Sequence, residues 1–256
     1  MCTVTILFKL FEEYPLVVAG NRDEFLNRPF RDPHLWHPLS GQISPSVFAG
    51  KDLECGGTWM GVNCRGIVSG VTNVSSGSRD PTRLSRGHLV LRCLAHESIH
   101  AIREELAACQ LQDYNPFNLF CVSRDSGFLI SNASPQPIIQ ELQPGPCVVT
   151  NRVITDPDDP KRKWIHSELL KRPQGLERLV PFLSNLFSHH GQDEQTHPIC
   201  IHLPGYGTVS SHFVFLGTDL VKSRFLHCSG PPCRNTFQDR SAEFRALFKG
   251  EIAPAH

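Results

Sequence analysis

The chain has 256 residues, with 25 basic and 25 acidic side chains and no net charge at pH 7. That balance excludes a whole-chain basic field able to hold nucleic acid or an anionic membrane. The length fits one large domain or two small ones and can bury a substantial core.

The ten cysteines are scattered, with no Cys-x-x-Cys pair. Several, such as Cys93 and Cys121, sit in apolar runs. They read as small buried hydrophobes in a reducing compartment, not as a disulfide framework. No run approaches the roughly 18 apolar residues of a membrane span. Residues 4–11 are interrupted by Lys9 and lead to no small-residue cleavage site. A soluble cytosolic protein is expected.

In chain order, residues 3–11 and 15–19 have strand composition, and a turn near residues 12–14 pairs them as a hairpin. The second strand then delivers Asn21-Arg22-Asp23-Glu24 close to the start of the first. Residues 27–46 are proline-rich and read as an irregular excursion. Residues 56–74 read as a β-meander with glycines at its tight points. Residues 89–106 switch to helical spacing, with Ser85 as a candidate N-cap. Residues 117–122 and 128–131 flank Ser123-Arg124-Asp125-Ser126-Gly127, a hairpin signal. Residues 147–150 form another short strand, and 161–171 and 176–188 are helical. After a polar loop at 191–197, residues 199–203, 212–216 and 225–227 are strand-like, and 241–249 forms a short closing element. Blocks of strands separated by helical pairs predict layered α+β packing, not a doubly wound parallel sheet.

Met1-Cys2 and Asn21-Arg22-Asp23-Glu24 suggest chemistry. With Met1 removed, Cys2 carries a thiol nucleophile and a free α-amine able to accept its proton. Asp23 can bond that α-ammonium, and Arg22 can lower the thiol pKa, although such pairs are as often structural. Acyl transfer also needs donors for an oxyanion. Asn73 and Asn151 each follow an apolar strand and a threonine, where an ordinary turn asparagine is the commoner reading.

Other constellations are weaker. His96 and His100 lie four apart in a predicted helix, without the glutamate of a His-Glu-x-x-His pattern or a third ligand. Cys200 and residues 228–233 lack the paired spacing of zinc sites, so no metal site is expected. A His or Cys ligand to haem iron is chemically open, but the sequence does not choose one. Pro204-Gly205-Tyr206-Gly207-Thr208 lacks the Lys-Ser/Thr of a phosphate loop and reads as a tight turn before a strand.

Taken together, Met1-Cys2, Asn21-Arg22-Asp23-Glu24-Phe25 with Arg28-Pro29, Gly56-Gly57-Thr58-Trp59-Met60-Gly61, Thr72-Asn73, Arg86-Gly87, Asn115, Phe117-Asn118-Leu119, Thr150-Asn151 with Trp164, and the Pro204–Thr208 segment resemble the NRDE family. They occur in family order across most of the chain, and the nearest branch is the Transport and Golgi organisation protein 2 group. The resemblance implies a single domain with an N-terminal-nucleophile (Ntn) hydrolase-like αββα sandwich of antiparallel sheets, similar to choloylglycine hydrolases and penicillin V acylases. It implies Cys2 as nucleophile, Arg22 and Asp23 as its assistants, Asn73 and Asn151 near the oxyanion, and Trp59 and Tyr206 beside the ligand. It also implies a cytosolic protein, associated with mitochondria or Golgi, that serves Golgi organisation and secretion. The implied cargo is haem or an acyl lipid, and no cofactor is required. The alternative is a cysteine amidohydrolase cleaving a small amide or thioester. Two departures stand out: Val209 occupies a position where many relatives carry arginine, and the segment Asp156-Pro157-Asp158-Asp159-Pro160-Lys161 is longer and more charged than the family pattern.

Overall fold

The computed structural model describes residues 2–36, 46–75, 79–191 and 197–249. Its elements are β1 (Thr3–Phe8), β2 (Leu16–Phe25), β3 (Phe30–Trp36), β4 (Val47–Asp52), β5 (Met60–Asn63), β6 (Val68–Asn73), α1 (Arg86–Leu94), α2 (Ile99–Ala108), β7 (Phe117–Val122), β8 (Gly127–Ser131), β9 (Ile138–Glu141), β10 (Gly145–Val149), α3 (Pro160–Leu170), α4 (Leu176–Phe187), β11 (His202–Leu203), β12 (Tyr206–Leu216), β13 (Arg224–Ser229), β14 (Gln238–Asp239) and α5 (Ser241–Lys249).

Side-chain alternation explains how these elements layer. Along a strand, successive residues face opposite sides of the sheet. In β1, Val4, Ile6 and Phe8 enter one core while Leu7 enters another; in β12, Val214 and Leu216 separate in the same way from Phe213 and Phe215. A sheet apolar on both faces must be covered on both. One sheet runs β10-β1-β2-β12-β13-β14, with β11 also paired to β12; the other runs β3-β4-β5-β6-β7-β8-β9. All of these pairings are antiparallel.

Between the sheets lie Ile6, Val18, Phe48, Val62, Phe120 and Val214, closed at one side by Phe244 and Leu247 of α5. Ile165 and Leu169 of α3 and Leu179, Leu183 and Phe187 of α4 cover the outer face of the first sheet. Leu89, Leu94, Ile102 and Leu106 of α1 and α2 cover the outer face of the second. The result is the expected α+β, four-layer αββα sandwich. No helix among the described residues is long and apolar enough to cross a membrane.

Several expected boundaries move. Within the excursion expected over 27–46, residues 30–36 form the edge strand β3, whose pairing with β4 is irregular between Arg31 and His34; residues 37–45 lie outside the described residues. The run 89–106 divides into α1 and α2. Ser85 is the N-cap of α1 but makes no side-chain capping bond, whereas Ser98 accepts the Ala101 amide and caps α2. β12 begins at Tyr206, well before the expected residue 212. All ten cysteines are free; four are buried and six are half-buried. His96 and His100 do not converge: they approach Glu105 (3.7 Å) and Glu104 (3.4 Å) respectively.

Candidate active site

Asn21-Arg22-Asp23-Glu24 lies inside β2, not beyond its end, between β1 and β12. The register pairs Thr3 with Asn21, which brings Cys2 alongside the motif. The Cys2 thiol donates to the Asp23 carbonyl at 4.0 Å. On the other side, Thr208 pairs with Asp23 and Ser210 with Arg22, so Val209 is the extra residue of a β-bulge. A bulge bends its strand and re-aims neighbouring side chains. Here the Thr208 hydroxyl donates to the Asp23 carboxylate at 2.6 Å, and the Tyr206 hydroxyl donates to the Asp23 carbonyl at 2.9 Å. Val209 is buried.

Arg22 is 3% exposed. Its guanidinium lies 4.3 Å from the Trp59 ring and 4.9 Å from the Phe30 ring, held on aromatic faces by cation–π attraction. Asp52 at 3.5 Å and Glu24 at 3.9 Å supply opposite charge. Arg28 locks Asp52 in turn at 2.7 Å. Burial alone would raise the Asp52 carboxyl; the hydrogen bond from Arg28 and the Cys55 amide overcome it and hold it below the ordinary carboxylate range.

Burial also dominates at the nucleophile. It pushes the Cys2 thiol above its ordinary value; Asp23 adds to the rise, and Arg22 only partly opposes it. Arg22, expected from the sequence to lower the thiol, acts in that direction here but is outweighed by burial. Burial lifts the Asp23 carboxyl to about 6 against the pull of the Thr208 hydrogen bond.

Cys2, Arg22, Asp23, Trp59, Asn73 and Tyr206 line one cleft of about 270 Å³. Asn151 stands behind it: its amide donates to the Asn73 carbonyl at 2.7 Å and so holds the β6 end on which Asn73 sits. Thr72 and Asn118 reinforce the junction by donating to the Thr150 carbonyl at 2.8 and 3.1 Å.

Two residues with no role assigned from sequence also belong here. Arg86, at the start of α1, lines the cleft and donates to the Pro116 carbonyl at 3.1 Å; among the described residues no carboxylate pairs with it. Lys161, at the start of α3, is lowered by burial yet lies near enough for its charge to act on both Asp23 and Cys2. The cleft lining holds five arginines (Arg22, Arg28, Arg79, Arg83, Arg86) against three carboxylates (Asp23, Glu24, Asp52), so it is locally cationic in a chain of zero net charge.

A separate quartet, His190, Cys200, His202 and Cys233, gathers beside β11 with its ligand atoms within 4.8 Å of one another. Sequence spacing missed it because its members come from the segment after α4, from β11 and the residues just before it, and from the loop after β13.

The sequence matches the family described as Transport and Golgi organisation 2 over residues 1–225. It is 26% identical over 240 residues to the human Transport and Golgi organization protein 2 homolog, covering 80% of this chain and 83% of the human protein. The mouse Transport and Golgi organization 2 homolog matches at 29% over 153 residues, 56% of this chain and about half (53%) of the mouse protein. Among solved structures, the C2A mutant of conjugated bile acid hydrolase from Clostridium perfringens superposes with a TM-score of 0.53 at 12% identity, over 99% of this chain and 96% of that one. A Caenorhabditis elegans N-acylethanolamine-hydrolyzing acid amidase ortholog gives 0.54 at 15% identity, over 84% and 92%. At such identities these two report a shared fold, that of the Ntn hydrolases. The ordered motifs, the sandwich and the match over residues 1–225 converge: the chain belongs to the Transport and Golgi organisation 2 family.

Proposed function

We propose that this protein is an N-terminal-nucleophile cysteine hydrolase acting on a small amide or thioester that bears an anionic group. The observation that carries this reading is the Cys2 thiol on the Asp23 carbonyl, within a cleft whose arginines outnumber its carboxylates. After removal of Met1, the α-amine of Cys2, with an ordinary pKa of about 7.7–8.0, takes the thiol proton. The sulfur attacks the substrate carbonyl carbon, and the C–N or C–S bond breaks. The leaving group departs with that proton, and water hydrolyses the acyl-enzyme thioester. Asp23 holds the ammonium. Asn73 supplies a neutral donor to the oxyanion, and Arg86 supplies a cation for the anionic group. No cofactor is needed for these steps.

The bile acid hydrolase solved as its C2A mutant also has cysteine as its native second residue, and the nematode ortholog is named as an amidase; both lend support to the reading. Haem or an acyl lipid, the cargo implied by family resemblance, suits the cleft less well. Small-molecule pockets usually span about 300–1,000 Å³ and are mostly apolar, whereas this one is at the small end and lined by charge.

The test is the intact mass of protein purified from cells, before and after a thiol-reactive acylating probe. Loss of one methionine with single labelling at Cys2, abolished in Cys2→Ala, is expected. Retained Met1 would block the amine and sink the mechanism.

A further inference from the structure

The four side chains beside β11 are built as a ligand set. Cys200 Sγ lies 3.6 Å from Cys233 Sγ and 3.6 Å from His202 Nε2, and His202 Nε2 lies 3.1 Å from Cys233 Sγ. In tetrahedral zinc, Zn–S of about 2.3 Å and Zn–N of about 2.0–2.1 Å place neighbouring ligand atoms roughly 3.3–3.8 Å apart. The three separations fall near that range. His190 faces the Cys200 carbonyl through Nδ1 at 3.2 Å. Metal-bound histidines characteristically donate their second ring nitrogen to a backbone carbonyl in this way, which leaves Nε2 of His190 for a cation.

The surrounding backbone is fixed before any ion arrives. The amides of Ile199 and Cys200 both donate to the His189 carbonyl at 2.9 Å, tying the β11 approach to the end of α4. Gly230, at φ +97°, starts the turn that returns Cys233. The amides of Arg234 and Asn235 close that turn on the Pro231 carbonyl, each at 3.1 Å. Cys200 is buried, Cys233 is half-buried, and the two histidines are exposed. The set is two thiols and two imidazoles with no carboxylate, the donor chemistry of structural zinc and not of calcium or magnesium.

We propose that His190, Cys200, His202 and Cys233 form a structural zinc site that staples three segments of chain. It has a consequence for the cleft. Ile201, next to Cys200, donates its amide to the Thr208 hydroxyl at 2.9 Å and accepts the Thr208 amide at 2.9 Å. Thr208 in turn donates to Asp23. The ion fixes β11, β11 fixes Thr208, and Thr208 orients Asp23. The proposal is independent of the reaction at the cleft.

The experiment uses the full chain, stripped with chelator under reductant and titrated with Co²⁺ and then Zn²⁺. One Co²⁺ per chain is expected, with tetrahedral d–d bands and thiolate-to-metal charge transfer, displaced by one Zn²⁺. Cys233→Ser and His202→Ala should each weaken zinc by at least the roughly 10–100-fold that loss of an outer partner costs. Because a serine variant can fail for reasons of folding, Cys233→His serves as the second variant. It keeps four ligands, so it should retain the ion while losing part of the charge-transfer intensity. Zinc should raise the melting temperature of the wild type and not of Cys233→Ser. Octahedral cobalt spectra, equal affinity in the variants, or a Cys200–Cys233 disulfide in protein with no zinc affinity would overturn the assignment.

Discussion

Asp23 is buried against its own ionisation. It lies buried at 2% exposure on a central strand, with Thr208 donating to one carboxylate oxygen. Burial raises its pKa from the ordinary 3.8 to about 6. A carboxyl raised in this way contributes stability that is full below about 3.8 and is lost as pH rises through about 6. The ionised form near neutrality is thus kept against stability, as expected of a functional group. Thr208→Val removes the hydroxyl that lowers the Asp23 pKa, so the midpoint should move above about 6. It also leaves the Ile201 amide without its hydroxyl partner, at a cost of about 1–3 kcal/mol. Following the Asp23 side-chain carboxyl carbon by NMR through a pH titration reads the midpoint without any assay; an unchanged value in the variant would refute the coupling. The Arg22–Asp23 pair was legible from sequence because it forms one contiguous motif beside Cys2. Lys161 and the zinc quartet were not, since each reaches its site only through the packing of α3 or β11.

At the scale of elements, the cleft depends on how closely the start of α1 approaches the turn before β5. A Cβ on Gly57 would meet the Gly87 carbonyl carbon at 2.5 Å, the Gly87 Cα at 2.8 Å and the His88 nitrogen at 2.8 Å, all backbone. The Thr58 amide donates to the Gly87 carbonyl at 3.2 Å across this contact. Gly57→Ala must therefore push α1, and Arg86 with it, away from Trp59. The expected cost is about 1–3 kcal/mol, as for other overpacked sites, read as a lower urea midpoint with an unchanged m-value. A variant as stable as the wild type would mean that α1 moves freely and does not fix the cleft.

Element boundaries were legible where propensity and tertiary contact agree, as in α3, α4 and the β7–β8 hairpin. They were lost where a distant side chain decides. Asn63 donates to the carbonyls of Leu94 and His96 at 3.0 and 2.8 Å, terminating α1 inside a run whose spacing continues. β3 escaped notice because Pro33 sits in it, and proline is tolerated in sheets on edge strands such as this one.

At the scale of the molecule, the layered α+β class followed from the order of elements, but the pairing of strands across the sandwich did not. β1 and β2 bury both faces, so alternation is hidden in near-continuous apolar runs. One consequence of that double burial is the cross-strand pair His212–His227 in the interior of the first sheet. His212 is 3% exposed, and its Nδ1 has no hydrogen-bond partner among the described residues. Burial lowers its pKa to about 3, helped by the positive charge available on His227 and Arg22. For a group depressed on folding, the stability contribution is present above the unfolded value of about 6.5 and is lost as pH falls below it. The slope approaches about 1.4 kcal/mol per pH unit for one such group. Asp23 acts in the opposite sense below about 6, so the wild-type profile alone cannot isolate His212. His212→Gln keeps a neutral polar side chain and cannot take up a proton. Urea unfolding at several pH values between 7 and 4 should show the variant losing stability less steeply than the wild type, the two profiles diverging from about pH 6.5 downward. Parallel profiles would mean that His212 takes up its proton in the folded sheet at its ordinary pKa and that the burial argument for it fails.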